Sequence, residues 1–335
     1  MTVALVTGAT GFIGAHVVRA LLAQDDVEVR ALVRSGSDTP ALHGLPVQRL
    51  TGDLTDAASL RHALTGVDVL FHLAARYELA QSDHDLTMQT NVAGTIALMR
   101  AAIDAGLERV VYTSSTAAVG FADPHGVPAD ESRWLDPANA AGPYELSKLR
   151  AERALHALVH EEGLPAVIVN PTAPIGPLDL RPTPTGRLIR DAARGRLPGY
   201  MRSAGLNIVD VRDVAQGHVL AWRRGRIGER YILGHQDGNL TMAEIVTRAA
   251  RAAGRRPPRL PVPYPLARAY AQIDERLISP RLGRPPQAPI AGVRLARHRL
   301  WFRVDKAVRE LALPQSSLNT AFHDAVASFR PNPPA

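Results

Sequence analysis

Along the first two hundred residues, short apolar runs alternate with segments in which apolar positions recur at helical spacing. VALVTGA (3–9), VEVRALVR (27–34), VDVLFHLAA (67–75), RVVYTSS (109–115) and PAVIVNP (165–171) have the length and composition of buried strands, and 47–50 is a weaker sixth. Helical periodicity fills about 12–23, 57–64, 87–105 and 144–162 between them. Strands apolar on both faces and separated by helices predict an α/β fold, a doubly wound parallel sheet with right-handed crossovers.

The pattern changes after Pro171. PTAPIGPLDLRPTPTG is rich in proline and glycine and reads as a long functional loop. LNIVDV (206–211) and RYILG (230–234) are late strands, with a helix from about Val214 to Arg223 for which Asp213 is the expected N-cap. Beyond them the chain is helical, interrupted by proline-rich stretches at 255–265 and 279–289. The expected division is a first domain of 1–170 plus about 205–234, and a smaller, mainly helical C-terminal domain of 171–204 plus 235–330.

Composition narrows the function. The 335 residues hold 46% hydrophobic side chains and no cysteine, which excludes disulfides and thiolate metal sites. No apolar stretch reaches the roughly 18 residues of a membrane span, and the start lacks a secretory pattern, so a cytoplasmic protein with no integral membrane segment is expected. The net charge is +7, and residues 251–300 alone carry eleven arginines against Asp274 and Glu275. Such a stretch is either a solvated basic face or a surface for an anionic partner, including peripheral contact with an anionic membrane. Nucleic acid is not expected, since zinc-finger spacing, aromatic interleaving and RNP-like runs are missing. His156 and His160 share a helix face without a carboxylate partner, so no metal site is expected.

TGATGFIGAHVVRALL (7–22) places Gly8, Gly11 and Gly14 between the first strand and the first helix. Glycines there permit a tight turn and close approach of a pyrophosphate, which the free N–H groups of the helix start would bind. The first domain is therefore expected to be a Rossmann-type dinucleotide-binding domain, and the second a smaller lid expected to bind a small-molecule substrate. The second strand ends in Arg34 and Ser35, with no acid before Asp38. An arginine at that place suits a ribose 2′-phosphate, so NADP(H) is favoured over NAD(H). Asp53 is open to two readings, acceptor for the adenine amino group or helix cap.

Only two lysines occur in the chain, and one of them, Lys148, follows Tyr144 at helical i, i+4 spacing. A tyrosine used as acid or base near neutrality needs its pKa lowered by roughly 3 units, and a neighbouring ammonium favours the phenolate. A strand-end hydroxyl should complete the set, and Thr113, Ser114, Ser115 and Thr116 are placed for it.

These motifs resemble the extended short-chain dehydrogenase/reductase superfamily over nearly the whole chain. The resemblance implies Ser115, Tyr144 and Lys148 as catalytic. It implies cofactor contacts from Gly8, Thr10, Gly11, Phe12, Ile13, Gly14 and Arg34, from Asp53 and Leu54 of GDL, and from Leu73, Ala74 and Ala75. Asn91, Thr113, Pro171 and Thr172 are carried over as cofactor-binding in the same way. Asn170 would meet substrate phosphate, as in sugar-nucleotide epimerases, and Arg187 and Arg212 are offered beside it because guanidinium forks suit a diphosphate. The stretches 167–189 and 205–234 are similar to the hopanoid-associated sugar epimerase group and to dihydroflavonol 4-reductase-like proteins. A (nucleotide-)sugar epimerase is the first reading, an NADPH-dependent carbonyl reductase the second and a non-catalytic NADP-sensing protein the third. Family members often form homodimers through the YxxxK helices, which would make Leu146, Leu149 and Arg153 interface residues.

Overall fold

Seven parallel strands form the central sheet of the computed structural model, which describes residues 1–77, 84–284, 286 and 289–329. In chain order its elements are β1 (Thr2–Thr7), α1 (Phe12–Leu22), β2 (Val27–Val33), β3 (Gln48–Thr51), α2 (Ala57–Ala63), β4 (Val69–His72), α3 (His84–Met88), α4 (Thr95–Asp104), β5 (Arg109–Thr113), α5 (Pro143–Glu162) and β6 (Ala166–Pro171). Then follow β7 (Ala173–Ile175), α6 (Pro184–Ala193), β8 (Gly205–Asp210), α7 (Val211–Arg224), β9 (Arg230–Leu233), β10 (Asn239–Thr241) and α8 (Met242–Ala252). The chain ends with α9 (Tyr264–Ile273), α10 (Ser279–Arg281), α11 (Ile290–Leu295), β11 (Arg299–Leu300) and α12 (Leu318–Ser328).

The strand order is β3-β2-β1-β4-β5-β6-β9, so chain direction across the sheet reverses between β1 and β4. Ligands bind at such a switch point, outside the carboxyl ends of the strands. One sheet face is covered by α1 and α7, which bring Val17, Leu21, Val214 and Trp222 into the core. The other is covered by α2, α4 and α5, through Leu60, Leu98, Met99 and Leu155. Burial on both faces explains why the strands read as continuous apolar runs.

Three expectations are corrected. LNIVDV does not join the central sheet: β8 pairs with β7, β10 and β11 in a separate four-stranded sheet, packed against α6, α8 and α12 through Ile189, Ile208, Ile245 and Phe322. The smaller half thus carries a sheet built from strands of two to six residues, most of them too short to show a period in the sequence. Asp213 does not cap α7. Asp210 does, accepting from the Arg212 N–H at 2.8 Å, and Asp213 sits one turn later and accepts from Ser316. The expected helix over 87–105 is also divided, by a π turn at Gln89–Gly94.

Candidate active site

The β1–α1 turn is shaped by its lack of side chains. Gly8 has φ +71°, and a Cβ there would lie 2.7 Å from the Ala74 nitrogen. A Cβ on Gly14 would lie 2.1 Å from the Gly8 carbonyl oxygen. Gly11 caps α1 with no side-chain bond and no acid stands in the first turn, so the helix start offers its N–H groups and positive dipole end to an anion. These residues fit a dinucleotide pyrophosphate. Arg34 and Asp53 follow β2 and β3 on the same carboxyl edge. Asp53 is held below the usual carboxylate range by bonds from Thr55, with Arg34 adding to the effect. Asp53 therefore behaves as a turn former whose charge is kept. Arg34 is exposed.

From this turn a cavity of about 530 Å³ opens toward the smaller half. Gly8, Gly11, Phe12, Ile13, Gly14, Leu73, Ala75, Thr113, Ser115, Tyr144, Lys148, Pro171 and Thr172 line it, so most of the expected positions come together. Thr10 stays exposed at the tip of the turn, and Leu54 is buried in the core under α4. Asn91 acts as a clamp. Its amide bonds both backbone groups of Arg76 and the Ser147 hydroxyl, and Ser147 donates to the Tyr144 carbonyl oxygen at 2.7 Å. Asn91 is thus a support of the loop after β4 and of α5, and it is not among the residues lining the cavity.

The three residues expected to bind substrate phosphate do not line the cavity. Asn170 is fully buried, and its amide donates to the Ser115 carbonyl oxygen at 3.0 Å and to Glu152 at 2.9 Å. Arg212 is held by Asp210 and Asp324. Arg187 is exposed and donates to the Pro182 carbonyl oxygen. Leu149, expected at a dimer interface, is 1% exposed and packs inside the subunit with Ala118 and Leu135.

The Tyr77 ring stands edge-on to Tyr144 with centroids 4.4 Å apart. Burial pushes the phenol pKa up, Tyr77 and Glu145 add to the rise, and only the nearby Ser115 hydroxyl lowers it. The expected lowering by Lys148 is not found: its ammonium donates to the Thr113 carbonyl oxygen at 2.9 Å and lies 5.4 Å from the Tyr112 ring centroid. Burial brings the Lys148 pKa down to about 8. The protein's own surroundings therefore keep Tyr144 protonated.

Beneath the site lie groups that the sequence reading missed. Glu152, eight residues after Tyr144 and four after Lys148, accepts from Ser114 and Asn170 and pairs with Arg230 at 2.6 Å, with both side chains buried. Its helical spacing from Tyr144 and Lys148 is the signal that would have found it. His218 donates from Nδ1 to the Val214 carbonyl oxygen at 2.7 Å, so Nε2 accepts from the Thr113 hydroxyl at 2.9 Å. His72 bonds Thr7 at 2.7 Å and Thr95 at 3.0 Å. Both rings are fully buried, and burial lowers their pKa values to about 4 and about 3.

The far wall comes from separate elements: Leu188 of α6, Leu206 of β8, Met242 of α8 and Leu295 of α11, with Phe121 and His298. Among the described residues, the ionisable side chains on the lining are Tyr77, Tyr144, Glu145, Lys148 and His298, and no arginine is among them. Among the described residues, no group of three or more His, Asp or Glu could hold a metal ion, and no helix is long and apolar enough to cross a membrane.

Comparison with known proteins gives consistent relatives. Residues 4–234 match the profile of a family described as NAD dependent epimerase/dehydratase. A dihydroflavonol 4-reductase-like protein of Synechocystis sp. is 44% identical, over 97% of this chain and 94% of its own. Sterol demethylase protein B of Methylococcus capsulatus is 40% identical, over 97% of this chain and 98% of its own. The crystal structure of gox2253 superposes with a TM-score of 0.85 at 41% identity, over 98% of each chain.

Proposed function

The chain belongs to the NAD dependent epimerase/dehydratase family, and from that premise we propose that it is an NADP(H)-dependent reductase of an apolar ketone or aldehyde. As a member it is a nicotinamide-dependent enzyme acting on a small molecule. The observation that carries the finer reading is the lining of the cavity. A nucleotide-sugar diphosphate calls for guanidinium or ammonium groups beside its oxygens. Here the far wall is mainly leucine, methionine and alanine with Phe121 and His298, Asn170 and Arg212 are committed elsewhere, and Arg187 is exposed outside the lining. The relative named for sterol demethylation points the same way, since a sterol is a large apolar molecule.

A bound nicotinamide supplies the hydride that adds to the carbonyl carbon. The chain's residues do the rest. Ser115 hydrogen-bonds the carbonyl oxygen and orients it. Tyr144, kept protonated by its surroundings, gives its proton to that oxygen as negative charge develops there, and the carbonyl becomes an alcohol. Lys148 has its ammonium fixed by the Thr113 carbonyl at the cavity wall, where it can meet ribose hydroxyls. Arg34 at the end of β2, with no acid beside it on that strand end, supports the preference for the 2′-phosphate.

The test offers the purified protein NADPH or NADH with a panel of apolar ketones and aldehydes, and separately with nucleotide sugars. The expected result is NADPH oxidation stoichiometric with alcohol formed, and little rate with NADH. Epimerisation of a nucleotide sugar with no net consumption of cofactor would sink the reading. So would tightly retained NAD⁺ released on denaturing the protein, because a cofactor regenerated each cycle need not leave.

A further inference from the structure

The segment that follows α8 has a surface the active site does not explain. Residues 251–300, from the end of α8 onward, hold eleven arginines against only two acids, and both acids are already engaged within the protein. Asp274 is fully buried and accepts from Ser279 and Arg284, while Glu275 accepts the Ile290 N–H at 2.7 Å. Arg268, Arg276, Arg281 and Arg294 are exposed. On α9, Leu266, Tyr270 and Ile273 stand at i, i+4 and i+7, one face of the helix, and are 65%, 45% and 49% exposed. Leu277 and Leu282 continue the exposed apolar run beyond the helix. The inward side of α9 is small, with Ala271 fully buried, and it packs on α11. A helix facing only water would carry polar groups where these large apolar side chains stand.

The charge selects the occupant. A two-fold interface between copies would set two segments of charge +9 against each other, which opposes association. An anionic lipid surface satisfies both features. Apolar side chains enter the headgroup boundary, and arginines bind the phosphates while their stems cover apolar area. We propose that α9 and the turns after it form a membrane-docking face for anionic bilayers.

The consequence for substrate delivery rests on the reading of the cavity as an apolar-substrate site; the docking itself does not. Gly292 and Leu295 of α11, which packs against α9, line the cavity. One arm therefore joins the lipid surface to the far wall, and an apolar substrate dissolved in the bilayer would enter along it.

The test is sedimentation of the full-length protein with phosphatidylcholine vesicles, with and without phosphatidylglycerol, across a salt series. Binding is expected only with phosphatidylglycerol and should weaken as salt rises. Leu266→Gln with Ile273→Gln should lower partitioning by more than tenfold. Arg276→Gln with Arg281→Gln should lower it about fivefold per charge removed. These positions are exposed, so unchanged circular dichroism and thermal melting confirm that each variant folds. The proposal is overturned if wild-type protein ignores anionic vesicles, or if the Leu266/Ile273 variant binds them as well as wild type. It is also overturned if light scattering finds a wild-type dimer that this variant turns into a monomer, since the face would then join copies of the chain. No turnover is measured, so these outcomes are independent of whether the enzyme proves to be a reductase.

Discussion

Acidification should unfold this protein through two buried imidazoles, and His218 gives the cleaner test. Its ring is fully enclosed, donates to the Val214 carbonyl oxygen and accepts from the Thr113 hydroxyl. A proton added at Nε2 would set two donors face to face with the threonine hydroxyl unless that hydroxyl turned away. The folded pKa is about 4 against 6.5 for the free side chain. Because the folded value is depressed, the unfolded chain takes up the proton first as pH falls. The stability due to neutral His218 is therefore present above about pH 6.5 and is lost between there and about pH 4. At about 1.4 kcal/mol per pH unit, the loss between pH 7 and pH 5 is about 2 kcal/mol. His72, with a pKa of about 3, contributes a loss of about the same size over that interval. Glu145 and Glu152 act with the opposite sign, since burial raises their pKa values and favours the folded state at lower pH. A comparison of wild type with His218→Gln removes that background, because both proteins contain the same carboxylates. Urea unfolding at both pH values should show a loss on acidification about 2 kcal/mol smaller in the variant, whatever the glutamine costs at neutral pH. Equal losses in the two proteins would refute the argument that the buried neutral ring is what acid attacks.

Other outcomes follow from the site. Tyr144→Phe should lower turnover by about 10²–10⁴-fold with nucleotide affinity little changed, measured by steady-state kinetics and fluorescence titration with NADPH. Gly14→Ala places a Cβ 2.1 Å from the Gly8 oxygen, so calorimetry should find nucleotide binding lost, together with a drop in stability of about 1–3 kcal/mol. Arg230→Met leaves the Glu152 carboxylate buried without its ion-pair partner and should cost about 3–5 kcal/mol in denaturant unfolding, much of it recovered by adding Glu152→Gln. Arg34→Ala should raise KM for NADPH about tenfold or more and leave KM for NADH nearly unchanged, the difference reading the loss of one charged contact.

The cofactor half was the more legible part of the sequence because its signals are local. A strand, three glycines and a helix start occur within sixteen residues, and Tyr144 and Lys148 lie one helical turn apart. Their meaning needs no distant contact. The smaller half hid for the opposite reason. Leu188, Leu206, Met242 and Leu295 come from four elements and carry no shared motif, and the short strands β7, β10 and β11 are held by pairing with β8 more than by their own pattern. Arg212 misled because charge in the sequence does not say where a side chain is spent. Arg212 spends its charge on Asp210 and Asp324, the second of them more than a hundred residues away.

The way β6 passes into β7 bears on how the molecule is made. Pro171 ends a strand of the central sheet, and Ala173 begins one of the second sheet, with Thr172 between them bonded to Asn207 and to the Leu233 carbonyl oxygen. During synthesis, the glycine turn and the Ser115, Tyr144 and Lys148 positions have all emerged by the time β6 is complete, and such N-terminal units fold first. The wall facing them waits for β8, α8 and finally α11. The central sheet itself, however, is closed only by α7 and β9, which also follow β8, so both halves of the molecule are completed by the same late stretch of chain.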